Sequence, residues 1–421
     1  MEKVCILGLG YIGLPTAGLL AAKGFSVHGV DKNPKVVDAV NNSYPHIHEP
    51  GLSNLIKLTV QSGNLVASLE PVHADIFIIT VPSLITKEHL PDITHIKEAI
   101  HAIAPYLIPG CLVIIETTVP VGTTEKIANW LSQLRRDLII PSITSTISRI
   151  DKEKQIFLAH CPERVSPGRT LIELVENSRV IGGIDQLSGQ KAYLFYKHFV
   201  CGELFITNAR TAELTKLTEN SFRDVNIAFA NELSLICANL GINVWELLKL
   251  ANSHPRVSIL DPGPGVGGHC LPKDSWFIKH AAPELARIIH TAREINDCMP
   301  NQIIVQIKSK AAFFQEPVIA CLGLTYKSNT DDLRESPALK IVKQLLDENV
   351  GEILIIEPHI DALPKALANH DRVKLVDLQE GLAQANLVVL LVAHDTFKNI
   401  EENILKKKVV VDTRGMWLLP D

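Results

Sequence analysis

Basic residues are not in excess: 41 Lys and Arg face 46 Asp and Glu, and the net charge is -5. That balance offers no electrostatic footprint for a nucleic acid. Metal-binding spacing is also missing. The 16 histidines and eight cysteines are scattered, with no His-x-x-x-His and no Cys-x-x-Cys, so no metal site is expected. The cysteines occur singly, and Cys5, Cys111 and Cys321 sit in apolar runs that read as buried strands. This is cytosolic usage and not a disulfide framework. No apolar run is long enough to cross a bilayer. The chain opens directly on a strand, KVCILGLG, and not on a signal peptide. The expectation is a cytoplasmic protein with no membrane and no nucleic-acid partner.

A chain of 421 residues with 46% hydrophobic content exceeds one ordinary core, and two or three domains are expected. The N-terminal part alternates short apolar strands with helical patterns. KVCILG, SVHGVD, ADIFIITVP, CLVIIETTV and QIFLAHC read as strands, and Leu14–Lys23, Thr94–Pro105 and Thr123–Gln133 as helices. Strands spaced by helices mean βαβ units and a parallel sheet. The C-terminal part repeats this grammar with PVIACLGL, EILIIEP, ANLVVLLVAH and KKVVVDTRG, and a helix over Ser336–Asn349. Between them, ARTAELTKLTENSFRDVNIAFANELSLICANLG has no proline, and its glycine comes only at the end. It reads as one helix over Thr211–Leu240, a spine between two α/β domains and a natural dimer surface. Asp185–Gly189 and Gln315–Pro317 are the candidate linkers. The fold class expected is α/β, with two Rossmann-like doubly wound domains joined by a long central helix in a helical middle domain.

Three patterns carry chemistry. GLGYIG places Gly8, Gly10 and Gly13 directly after a strand and before a helix. Gly8 suits the tight turn, Gly10 a close backbone approach to a pyrophosphate, and Gly13 close helix–strand packing. Asp31 ends the second strand, where an acidic residue holds the adenosine ribose hydroxyls. A carboxylate there repels a 2′-phosphate, and NAD is expected over NADP. On the long helix, Glu213, Lys216, Asn220 and Arg223 share one face by their spacing. The other faces are apolar, so this stripe is expected to line a cleft. Lys and Asn one turn apart suit an oxygen that gains charge. The third pattern is DPGPGVGGHCLPKD, residues 261–274, which surrounds Cys270 with glycine. Gly265, Gly267 and Gly268 leave room for a reactant to approach the sulfur. Lys273 and a helix start after the cysteine would lower the thiol pKa from about 8.5 toward neutrality. His269 is the other residue placed to do so.

GLGYIGLP, ETTVPVGT, CPERVSPG, LTKLTENSFRDVNIAFANELS, HPRV, GPGVGGHC and GLTYKSNTDDLRESPA follow in that order over nearly the whole chain. Together they resemble the nucleotide-sugar 6-dehydrogenase family, and within it the branch acting on UDP-N-acetylhexosamines. The resemblance implies an NAD-dependent homodimeric oxidoreductase of polysaccharide biosynthesis. Its reaction would be the four-electron oxidation of UDP-N-acetyl-D-mannosamine at C6 to UDP-N-acetyl-D-mannosaminuronate. It also implies residues 1–195 for NAD, 196–314 for dimerisation and catalysis, and 315–421 for the UDP-sugar. Cys270 would form a thiohemiacetal and then a thioester. Lys216 would be the general acid/base that also steadies the oxyanion, with Asn220 beside it. Asp274 and Glu163 would order the hydrolytic water, and Thr118 would lie at the nicotinamide. Tyr11, Ile12, Asp31, Lys35 and Ser83 would line the NAD site with Gly8, Gly10 and Gly13. Arg334 would reach NAD from the C-terminal domain. Arg164, Val165, Arg223, His254, Gly265, Tyr326, Lys327 and Arg414 would line the UDP-sugar site with Lys216 and Asn220. Arg256 would enter that site from the partner subunit.

Two positions depart from this branch. Lys273 follows Leu-Pro after the cysteine, as in many UDP-glucose dehydrogenases, where the N-acetylhexosamine branch often has an apolar residue. Ser83 stands where a threonine is common. UDP-N-acetylglucosamine and UDP-glucose therefore stay open as alternative substrates. The non-enzyme alternative is a catalytically silent NAD-binding regulator, and the presence of Cys270, Lys216 and Asn220 speaks against it. A metal-dependent hydrolase built on His269 and Cys270 lacks further ligands at sensible spacing.

Overall fold

The computed structural model describes residues 2–142, 151–268 and 270–417. His269 lies outside them. The chain divides into two compact units, Met1–Thr218 and Glu219–Asp421. The division falls inside a single helix, Ala209–Leu240, which is the helix expected over Thr211–Leu240.

The strands of the first unit are β1 (Lys3–Leu7), β2 (Ser26–Val30), β3 (Leu65–Ser68), β4 (Ile76–Ile79), β5 (Leu84–Ile85), β6 (Pro91–Asp92), β7 (Leu112–Ile115), β8 (Phe157–His160), β9 (Arg179–Gly183) and β10 (Leu204–Asn208). β5 and β6 pair only with each other. The rest form one sheet in the order β10-β9-β8-β7-β4-β1-β2-β3. Pairing is parallel except between β8 and β9. IFII in β4 and LVII in β7 are buried at every position, as a sheet covered on both faces requires. Helices Gly13–Ala22 and Gln186–Lys197 close one face, and Thr94–Ile103 and Thr123–Leu134 close the other.

β3, β9 and β10 were not anticipated from the sequence. RVIGG in β9 ends on glycines that read as a turn, while LFITN in β10 is half polar and mostly exposed. Asp185–Gly189, expected as a linker, instead begins helix Gln186–Lys197. Asp185 caps that helix by accepting from Ser188 N at 2.7 Å. Gly189 is part of the same packing, because a Cβ on Gly183 would collide with its backbone.

In the second unit β11 (Val318–Leu322), β12 (Glu352–Ile356), β13 (Val373–Leu375), β14 (Leu387–Leu390) and β15 (Val409–Asp412) form a parallel sheet in the order β13-β12-β11-β14-β15. Helices Pro337–Asp347 and Arg287–Ala311 pack on one face and Leu378–Gln384 on the other. Gln315–Pro317 lies in the connection that precedes β11.

The similarity between the two sheets extends to single atoms. Gly8 and Gly323 both take left-handed backbone, with φ of 94° and 90°. Their N–H groups donate to Val30 O at 2.8 Å and Ile356 O at 2.9 Å. Just past β2 and β12, Asp31 and Glu357 each accept from the glycine loop, Leu9 N at 3.0 Å and Leu324 N at 2.7 Å.

Glu213 corrects an expectation. It does not line a cleft. It is 1% exposed, and its carboxylate accepts from Gly122 N at 2.6 Å, Thr124 N at 2.7 Å and Thr124 Oγ1 at 2.6 Å. It therefore caps helix Thr123–Leu134, whose first N–H groups would otherwise be orphaned.

Candidate active site

The glycine loop after β1 is shaped for a dinucleotide. A Cβ on Gly13 would collide with Gly8 O, so helix Gly13–Ala22 starts flush against the turn. A Cβ on Gly10 would meet nothing within 4 Å, which leaves open space at the helix N-terminus for a phosphate. Asp31 accepts from Leu9 N and, at 2.9 Å, from Asn33 N, so its carboxylate is held at the loop. Tyr11 and Lys35 are exposed nearby in sequence, and Ile12 is the half-buried N-cap. Ser83 is buried, and its hydroxyl donates to Thr118 O at 2.6 Å. It holds the buried Thr118 segment in place. Donor set, carboxylate and open backbone together fit NAD.

Still within the first unit, Lys216 Nζ lies 3.3 Å from Glu163 Oε1, and their side chains are only 8% and 12% exposed. The other Glu163 oxygen accepts from Val165 N at 3.0 Å. Arg164 is turned to the backbone, with Nη1 donating to Ser178 O at 3.1 Å and its carbonyl accepting from Asn177 Nδ2. A nearly dry ammonium–carboxylate pair can hold a proton in place and steady an oxygen that becomes negative.

The second unit holds the cysteine. Cys270 is the half-buried N-cap of helix Leu271–Ala281, and its carbonyl accepts from Lys273 N and Asp274 N, both at 3.0 Å. A thiolate there faces the positive end of the helix dipole. One turn on, Asp274 is fully buried and accepts from Asn220 Nδ2 at 2.5 Å. The Lys273 side chain is buried as well. Its ammonium is 3.9 Å from Asp274 Oδ1 and 5.4 Å from the centre of the Phe277 ring.

Behind this helix lies a polar network that was not anticipated. Ser275 Oγ donates to Asp224 Oδ2 at 2.9 Å, and Arg293 Nη1 lies 2.5 Å from Asp224 Oδ1. Asn296 Nδ2 donates to Asp224 Oδ1 at 2.8 Å and its Oδ1 accepts from Asn231 Nδ2 at 2.8 Å. Asn231 Oδ1 in turn accepts from Gly263 N at 2.9 Å. The signal was present one residue away: the stripe through Asn220 continues to Asp224, whereas Arg223 is exposed.

The glycines before Cys270 serve a different purpose from the one expected. Cβ atoms on Gly267 would lie 2.7 Å from Glu335 O and Pro337 Cδ, and one on Gly268 would lie 2.8 Å from the Tyr326 ring. Gly265 sits against Pro300 and Pro337, and Arg414 covers Gly263. The bare backbone is where residues 263–268 run along the C-terminal segment, with Gly268 N donating to Arg334 O at 3.1 Å. Tyr326, Arg334, Arg414 and Gly265 are thereby brought together. Arg334 is itself engaged, with Nη2 2.6 Å from Asp332 Oδ2. Lys327 is exposed, while its carbonyl accepts from Thr325 Oγ1 and Thr330 Oγ1. Asn329 and Glu335 take positive φ, 58° and 50°, in this same stretch.

His394 holds that stretch. Its Nδ1 accepts from Asn329 N at 2.9 Å and its Nε2 faces Glu357 Oε2 at 3.0 Å. Glu357, His359 and His394 are close enough together to suggest a metal site. Both ring nitrogens of His394 are committed, however, so the group reads as a loop clamp. His254 and Arg256 lie exposed on the HPRV loop, with Arg256 N donating to His254 Nδ1 at 3.3 Å.

Sequence models of one family match the chain in three consecutive pieces. They are the NAD binding domain over residues 2–200, the central domain over 210–298 and the UDP binding domain over 320–418. The chain belongs to the UDP-glucose/GDP-mannose dehydrogenase family. It is an NAD-dependent nucleotide-sugar 6-dehydrogenase, an oxidoreductase. A Ralstonia solanacearum protein named NDP-N-acetyl-D-galactosaminuronic acid dehydrogenase is 51% identical over 99% of this chain and 96% of its own. A Campylobacter jejuni UDP-N-acetyl-D-mannosamine dehydrogenase is 52% identical over 96% and 98%. The solved UDP-D-ManNAc dehydrogenase of Pyrococcus horikoshii is 38% identical over 98% and 96%, with a TM-score of 0.85.

Asp31 gives a direct test of the cofactor site. Asp31→Ala removes a charge-assisted hydrogen bond worth about 1.5–3 kcal/mol, so NAD should bind roughly ten- to hundredfold more weakly in calorimetric titration. UDP-sugar affinity should hold. Unchanged NAD affinity would remove Asp31 from the site.

Proposed function

We propose that the chain oxidises the C6 hydroxyl of UDP-N-acetyl-D-mannosamine to the uronate through a covalent intermediate on Cys270. The observation that carries this reading is the cysteine at a helix N-terminus, one turn from the buried Asp274–Asn220 pair. The name of the Campylobacter jejuni relative supports the choice of sugar. A second reading, an NDP-N-acetyl-D-galactosamine substrate, rests on the name of the Ralstonia solanacearum relative, which is about as similar.

NAD, when bound, accepts the hydride in each of two oxidations. Lys216 passes its own proton to the paired Glu163 carboxylate and takes that of the C6 hydroxyl as the alcohol becomes an aldehyde. The Cys270 sulfur then adds to the aldehyde carbon, and Lys216 steadies the oxygen as it gains charge. Loss of the second hydride leaves a thioester. Asp274 and Glu163 orient the water that attacks it, which releases the carboxylate and returns the sulfur as thiolate. The covalent bond retains the aldehyde between the two oxidations. Thr118 lies at the nicotinamide in this reading. Gly8, Gly10, Tyr11, Ile12, Gly13, Asp31, Lys35, Ser83 and Arg334 serve NAD. Arg164, Val165, Arg223, His254, Arg256, Gly265, Tyr326, Lys327 and Arg414 serve the UDP-sugar.

The same reading assigns residues 1–195 to NAD, 196–314 to dimerisation and catalysis, and 315–421 to the UDP-sugar. It places the reaction in the cytoplasm; among the described residues no helix is long and apolar enough to cross a membrane. The homodimer is proposed to form on the long helix. Phe222, Phe229 and Ile236 recur there every seven residues and are 71%, 50% and 46% exposed, an apolar stripe of the kind a partner covers.

Incubation with NAD and a panel of UDP-sugars, followed by NADH absorbance, tests the substrate and the mechanism together. The preferred sugar should give about two NADH per uronate, since alcohol to acid is a four-electron change. Cys270→Ala should stop at the aldehyde or its hydrate. Uronate formed at near wild-type rate by that variant would end the covalent mechanism. The shared site has its own test. An Arg256→Ala protein mixed with a Cys270→Ala protein should regain part of the activity once subunits exchange. No recovery after proven exchange would rule out a partner's Arg256 in the site.

A further inference from the structure

His160 ends β8 and is fully buried, yet neither ring nitrogen has a hydrogen-bond partner among the described residues. Buried polar atoms are almost always satisfied, and leaving two unsatisfied on one ring is costly. Packing alone would have favoured a hydrocarbon at this place.

The sheet shows what the ring faces. Ala159 and Cys161 belong to the core beneath helices Gly13–Ala22 and Gln186–Lys197, and Leu158 to the core on the opposite face. By alternation His160 shares the Leu158 face. Its lateral neighbours are Ile115 on β7 and Gly182 on β9. Gly182 is bare because Ala209 and Ala212, in the first turn of the long helix, lie directly on it. Lys216 is one turn beyond Ala212, which carries its side chain on from Gly182 toward His160. Glu163, three residues past His160, meets the same ammonium at 3.3 Å.

We propose that His160 is a positioning residue for Lys216. Its neutral imidazole accepts a hydrogen bond that the Lys216 ammonium delivers through one trapped water. The proposal rests on the acid/base role given to Lys216 above. The surrounding charges fit it. Glu213 is spent on Gly122 and Thr124. Glu116 and Arg179 pair with each other beside Tyr196, in the core of the other face. Lys216 is the charge that acts on the imidazole, and Glu163 is paired with it. Burial, and after it the Lys216 charge, pull the imidazole pKa down to about 3, so the ring stays neutral and keeps a lone pair for the ammonium. A carboxylate in its place would bind the proton too firmly, and a hydrocarbon would offer the ammonium no acceptor.

The test compares His160→Leu, His160→Gln and Lys216→Ala in the full chain. His160→Leu should lower kcat by roughly tenfold or more, with KM for NAD and UDP-sugar within about twofold. The alkaline limb of its kcat–pH profile should move to lower pH, because the ammonium has lost an acceptor. His160→Gln keeps an acceptor and should restore both kcat and the limb. Wild-type kcat and pH profile in His160→Leu, with Lys216→Ala impaired, would overturn the inference and leave the catalytic reading standing. An active Lys216→Ala would overturn the catalytic reading and this inference with it. If His160→Leu fails to fold, imidazole 15N shifts of the wild-type chain decide. The His160 signals should be those of a neutral ring and should move in Lys216→Met; signals that do not move would refute the contact.

Discussion

A buried carboxylate, Asp224, determines where the reactive helix begins. It receives Ser275 from that helix and Asn296 and Arg293 from helix Arg287–Ala311. Through Asn296 and Asn231 it also reaches Gly263. Both ends of the segment that carries Cys270 are thus tied to one charge. Burial pushes the Asp224 carboxyl pKa up, and the Arg293 guanidinium opposes this. Removing one partner of such a pair costs about 3–5 kcal/mol, because the other charge stays buried and alone. The helix that begins after Cys270 is therefore held firmly to a buried ion pair.

That firmness matters because the chemistry asks much of one atom. In the proposed mechanism Cys270 meets a carbon at bonding distance and later releases it, and it is half exposed. Asp274 beside it is fully buried and bonded to Asn220. In the first unit, Lys216 and Glu163 form a nearly dry pair of their own. Charges held without water act strongly on a developing oxyanion and need no reorganisation when it forms. Glycine supports this arrangement indirectly. Gly267 and Gly268 let the loop before the cysteine lie against Glu335, Pro337 and Tyr326.

Much of this was legible in the sequence. Strand runs such as IFII and LVII announce themselves by unbroken hydrophobicity, and the long helix by its lack of proline. The roles of Gly8, Gly10 and Gly13 follow from where a strand meets a helix. Other features were not legible, for identifiable reasons. RVIGG looks like a turn until the helix that packs on Gly182 is known. Glu213 and Asp224 look like helix-surface charges, since their partners lie 51 or more residues away in sequence. His160 sits in an ordinary strand, and its missing hydrogen bonds appear only in three dimensions. Local periodicity reveals which face is polar, but only tertiary contacts reveal which charge is buried.

The covalent bond to Cys270 is the central claim, and intact-protein mass spectrometry of Cys270→Ser tests it most directly. A serine keeps a nucleophile of similar size, but its ester is a poorer acyl donor than a thioester. With NAD and UDP-N-acetyl-D-mannosamine, the account requires the variant to gain the mass of the oxidised sugar nucleotide and to lose it slowly. A variant that turns over to uronate at near wild-type rate with no added mass at any time would contradict it.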